Sequence, residues 1–92
     1  MPTREEVELL EKLIVERLDE PVERESIEVL AEKSDELLGS LDDQERRVMS
    51  LRLGFDRFAP RTLEAVAEAV NLSPDETRKI EQRAMDKLRQ ET

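Results

Sequence analysis

"TLEAVAEAVNLSPDETRKIEQRAMDKLRQ", residues 62–90, contains two helix starts and a turn in one uninterrupted run. Thr62 precedes the apolar-periodic "LEAVAEAV", where its hydroxyl can accept from a donor that the first helical turn leaves unpaired. Asn71 suits a left-handed residue at the end of that helix. Ser73, Pro74, Asp75 and Glu76 form the second start: a serine cap, a proline where no backbone donor is needed, and acids near the positive helix end. Two short helices joined by a tight turn pack across one another only if the positions where they meet are small or apolar. Val66, Val70, Leu72 and Ile80 are the expected buried set, Ala67 is small at the crossing, and Thr77 stands where valine or isoleucine would be usual. The spacing predicts a helix-turn-helix over residues 62–90.

Upstream, Asp42 with Glu45 marks a helix that carries Val48, Leu51 and Leu53 as far as Gly54. The loop "FDRFAPR", residues 55–61, follows, with Phe55 and Phe58 expected to plug the core. An earlier helix, from about Glu25 to Leu38, presents Ile27, Leu30, Ala31, Leu37 and Leu38, and Gly39 is expected to supply a left-handed stop. The first helix starts at the Thr3/Glu6 capping box and reaches about Asp19 before Pro21. Its stripe is Val7, Leu10, Ile14 and Leu18, joined by Leu9 and Leu13. The expected fold is all-α, a compact bundle of four to five helices with a C-terminal helix-turn-helix. It divides into an acidic amphipathic helix at 1–24 and a helical domain at 25–92.

Composition narrows the chemistry. The 92 residues include no cysteine and no histidine, which removes disulfides, thiol nucleophiles, histidine bases and the usual zinc ligands. Gly39 and Gly54 both lie at helix ends, so no glycine-rich phosphate loop exists. Carboxylates on helices this charged read as solvated faces. A non-enzyme without metal or cofactor is expected. The opening "MPTREEVELLEKLIVERLDE" is interrupted by charge throughout, unlike a signal peptide, transit peptide or membrane span, so a cytoplasmic protein with no membrane partner is expected.

The formal net charge of -9 is unevenly spread. Residues 1–40 hold thirteen acids against five bases, a balance of -8, whereas residues 41–92 hold eleven acids and ten bases. Residues 72–90 carry Arg78, Lys79, Arg83, Lys87 and Arg89 against Asp75, Glu76, Glu81 and Asp86. A balance of +1 is weak for a protein that must hold DNA by itself.

From Leu41 to Arg89, "LDDQERRVMSLRLGFDRFAPRTLEAVAEAVNLSPDETRKIEQRAMDKLR" resembles region 4 of bacterial housekeeping-type RNA polymerase sigma factors. The matching pieces are "L..QE..V..LR.G.D", a short spacer, "TLE.VA...N.S" and "R.IE.RA..KLR". Residues about 27–40 would supply the preceding helix, and the chain resembles a free-standing region 4. In that family the helix-turn-helix reads the promoter's minus-35 element and the earlier helices grip the flap of the polymerase beta subunit. The resemblance implies DNA and the flap, or an anti-sigma-type protein, as partners.

Residue by residue, the resemblance implies phosphate contacts at Arg52, Thr62, Leu63 through its backbone, Ser73, Arg78 and Arg83. The base readers depart from the pattern: Pro74 replaces an arginine, Asp75 a glutamate and Lys79 a glutamine, while Gln44 replaces a further DNA-facing arginine. Proline makes no bidentate guanine contact, so the standard element should not be read in the standard way. Lys79 can still favour guanine and Asp75 can accept from a cytosine amine. Two functions stay open: a DNA-binding transcription protein of altered specificity, weak alone, or an interaction module that has lost DNA reading. The first helix can cover the flap-binding cleft, dimerise the protein or complete the core, which leaves monomer and dimer both open.

Overall fold

Helix boundaries follow the caps. The computed structural model describes residues 2–14 and 23–91, which form α1 (Arg4–Ile14), α2 (Arg24–Glu32), α3 (Ser34–Leu37), α4 (Asp43–Leu53), α5 (Leu63–Val70) and α6 (Pro74–Gln90), with no strand among them. The N–H of Thr3 donates to Glu6 Oε1 at 2.9 Å and the N–H of Glu6 to Thr3 Oγ1 at 3.1 Å, the reciprocal pair expected of a capping box. Asp42 and Glu45 repeat it at α4, at 3.0 and 2.7 Å. Leu18, Asp19 and Pro21, on which the reading of the first helix's far end rested, lie outside the described residues.

The helix expected over 25–38 is two helices, which makes six among the described residues where four to five were expected. The break falls at Lys33, whose φ of -99° and ψ of 12° leave the helical region and whose N–H turns back to Leu30 O at 3.1 Å. Leu37 and Leu38 are fully buried after the break, with Ile27 fully buried and Leu30 buried before it. The left-handed stop expected of Gly39 is not found: α3 is capped by Leu38 with φ -108° and ψ 9°, and Gly39 does not take a positive φ. The kink brings both ends of the segment onto one core, and Ser34-Asp35-Glu36 is a sequence suited to a fresh start.

Two apolar clusters organise the chain. The larger joins Val7, Leu10 and Leu13 of α1 to Ile27, Leu30, Leu37, Leu38, Leu41, Met49, Leu53, Phe55, Ala84, Met85 and Leu88. Helix α1 is therefore part of the common core. The smaller cluster is Val48, Val66 and Ile80, with Leu51, Val70 and Leu72 packed against it. Helices α4 and α6 contribute to both. The N-terminal half of α6 rests on α5 and its C-terminal half on the larger core.

The loop between α4 and α5 is held by Gly54, which adopts φ 74°. A Cβ there would lie 2.0 Å from Ala59 O, so only glycine lets the loop fold back against the helix end. Phe55 is buried and Phe58 half-buried, packed against the larger core with the Arg24 guanidinium 5.3 Å from its ring centre. Arg61 closes the loop by donating twice to the Asp56 carboxylate, at 2.6 and 2.8 Å. This bidentate pair lowers the Asp56 pKa and raises that of Arg61.

Candidate nucleic-acid interface

The turn that presents α6 is built as its residues require. Thr62 Oγ1 accepts from the N–H of Ala65 at 3.2 Å, and Asn71 takes the left-handed conformation at φ 58°, ψ 44°. Ser73 Oγ accepts from the N–H of Glu76 and donates to its carboxylate, both at 3.1 Å. Pro74 is the first residue of α6. Thr77 is fully buried, and its hydroxyl donates to Ser73 O at 2.8 Å, which satisfies the polar atom where an aliphatic residue would be usual.

The expected DNA contacts separate into two groups. Thr62, Ser73, Asp75, Arg78 and Lys79 are exposed, and Leu63 buries its side chain while its backbone opens α5, where an N–H has no acceptor inside the helix. Asp75, Arg78 and Lys79 make no ion pair among the described residues. Arg52 lies differently. Its guanidinium is buried, donating to Ile14 O at 2.7 Å, to Arg61 O and to Glu81 Oε2 at 3.3 Å, so it joins α1, the loop and α6. Arg83 is half exposed but donates to Glu45 Oε2 at 2.7 Å.

Glu45 is the organising charge. Its side chain is 0 % exposed and accepts from the N–H of Asp42, from Lys87 Nζ at 2.6 Å and from Arg83 Nε. Burial pushes its carboxyl up, but the Lys87 hydrogen bond, the Asp42 N–H and Arg83 together outweigh burial and hold the pKa at about 2. The sequence reading gave Glu45 only its capping role. Its bond to α6 depends on contacts 38 and 42 residues away, which local pattern does not contain.

Arg47 is the residue that sequence reasoning missed. It is exposed, makes no ion pair among the described residues, and lies one helical turn beyond Gln44. Both line a groove completed by Ala69, Val70, Asn71 and Leu72, so Arg47 stands beside the turn of the helix-turn-helix. The structure shows why: Glu45 and Val48 face inward, which turns Gln44 and Arg47 outward, and the inward turn of Glu45 could not be read from the chain. Among the described residues, no group of three or more acids converges as a metal site would.

This arrangement defines a small all-α protein whose helix-turn-helix holds Arg78 and Lys79 on its second helix without an ion pair among the described residues. The family described as Sigma-70, region 4, matches residues 37–90, more than half of the chain. Over 69 residues the chain is 36% identical to RNA polymerase sigma factor SigA of Listeria monocytogenes. That match covers 75% of this chain and 18% of the relative, so the chain corresponds to a small part of that protein. No solved structure matches the chain. The chain belongs to the sigma-70 region 4 family.

Proposed function

We propose that this chain is a non-catalytic, cytoplasmic transcription protein that binds duplex DNA through the starts of α5 and α6 and works while docked on RNA polymerase. One observation carries the reading. Of the five bases on α6, Arg83 and Lys87 are bound to Glu45, and Arg89 to Glu11 and Asp86, whereas Arg78 and Lys79 make no ion pair among the described residues. Bases left unpaired beside an exposed helix start favour a phosphate or base edge. Their number is small, so affinity alone is low and salt-sensitive; attachment to polymerase raises the effective DNA concentration. Specificity departs from the family's because Pro74 and Gln44 stand where arginines read or grip DNA.

The test is fluorescence anisotropy against a consensus minus-35 duplex and a scrambled duplex at several salt concentrations. Binding to both, steeply weakened by salt and with little preference, supports the reading. No binding at low salt supports the second reading instead, an interaction module for the polymerase flap or an anti-sigma-type protein. The inward guanidinium of Arg52 favours that alternative, since one of the family's phosphate contacts is committed to the fold.

A further inference from the structure

Helices α1 and α2 leave an open groove of about 360 Å³ between them. Leu30 forms part of its lining from the core side, and Leu9 and Val29 line it from α1 and α2. Val29 is 54% exposed, the only large apolar side chain so exposed among the described residues. A single exposed valine is ordinary. Here it sits with Leu9 and Leu30 in one depression, which Thr3, Glu5, Glu6, Ser26 and Lys33 complete.

Helical spacing sets Glu25 and Glu32 one turn to either side of Val29, and Glu5 one turn before Leu9. None of the three makes an ion pair among the described residues. Glu6 and Lys33 face each other across the groove at 3.9 Å, close enough to attract and loose enough to part. The result is a slot with an aliphatic strip of Leu9, Val29 and Leu30, edged by Glu5 and by the Glu6–Lys33 pair, with Glu25 and Glu32 on the same helix face beyond it.

We infer that this groove docks a basic amphipathic helix from a partner protein. Such a helix inserts aliphatic side chains at three- and four-residue spacing between Leu9 and Val29 and sets lysines or arginines against Glu5, Glu25 and Glu32. Nucleic acid is disfavoured because the rim would repel phosphate. A second copy is disfavoured because a symmetric pair would set the same acidic rim against itself. The inference rests on no part of the DNA reading, since none of these residues belongs to the helix-turn-helix.

The test uses the full chain, isotope-labelled for NMR, titrated with a leucine–lysine amphipathic helical peptide and with the same peptide carrying glutamate for lysine. The expected result is saturable shifts of the Leu9, Val29 and Leu30 methyls with the lysine peptide only. Val29→Asp, checked for unchanged helicity by circular dichroism, should weaken binding about tenfold, and the Glu25→Lys/Glu32→Lys pair should shift preference toward the glutamate peptide. Shifts spread over the whole acidic surface and indifferent to Val29→Asp would mean unspecific charge attraction and overturn the proposal. A parent dimer in sedimentation that Val29→Asp converts to monomer would also overturn it, by identifying the occupant as a second copy.

Discussion

The two halves of α6 use the same residue types for opposite purposes. From Pro74 to Ile80 the helix rests on the small valine cluster and holds Arg78 and Lys79 in solvent, without an ion pair among the described residues. From Glu81 to Gln90 it rests on the large core, and each base is bound to a carboxylate: Arg83 and Lys87 to Glu45, Arg89 to Glu11 and Asp86. The Glu11 bond, at 2.7 Å, raises the Arg89 pKa further. A basic residue on this helix thus gains its role from the carboxylates that neighbouring helices bring to it. The C-terminal half fastens α6 to α1 and α4, and the bases of the N-terminal half have no such fastening among the described residues.

Removing the fastening should produce the largest effect. Glu45→Ala leaves Arg83, Lys87 and the α4 cap without their acceptor and should cost about 3 kcal/mol in urea unfolding. Arg78→Ala and Lys79→Ala should each change stability by less than about 0.5 kcal/mol. Equal losses from both halves would break the comparison.

The same contrast should appear in pH. Glu45 has a folded pKa of about 2 against an ordinary value of 4.5, so its contribution is fully present above 4.5 and lost as pH falls toward 2. The depression corresponds to on the order of 3 kcal/mol. In the parent, stability should decline through that window; in Glu45→Gln, the decline should be shallower by a similar amount. Parallel acid profiles would show that Glu45 is not the group responsible.

Charge reversal of the free half should act on binding alone. Arg78→Glu/Lys79→Glu should lower DNA affinity more than tenfold, each lost contact being worth about 1–3 kcal/mol, with unfolding unchanged within about 0.5 kcal/mol. If the double variant binds as the parent does, the DNA face lies elsewhere. Arg47→Ala should lower affinity by a few-fold and reduce the salt slope by about one.

The smallest effect should come from Thr77→Val. It removes a satisfied hydroxyl with little change of shape, so stability should shift by less than about 1 kcal/mol. A larger loss would mean that the bond to Ser73 O, not the apolar contact, positions the start of α6.

Much of this was legible in advance because it is local. A cap is decided by residues three apart, so Thr3, Asp42, Thr62 and Ser73 could each be recognised from the chain and are found capping in the structure. The left-handed Asn71 and Gly54 follow from what each side chain allows at positive φ. The break at Lys33 was not legible, since Leu30, Leu37 and Leu38 also fit a single continuous stripe. All three are buried with the break as they would be without it, so the apolar pattern does not mark it.

By itself, then, the sequence determined the all-α class, four of the helix caps, the helix-turn-helix and the family. Tertiary structure alone decided which charges remain available. Arg52, Arg78 and Arg83 look equivalent on the chain, but one reaches into Ile14 O and Glu81, one stands in solvent, and one meets a buried glutamate 38 residues away. The physical reason is range: backbone donors are satisfied within a helical turn, whereas an ion pair needs whichever carboxylate the packed core delivers.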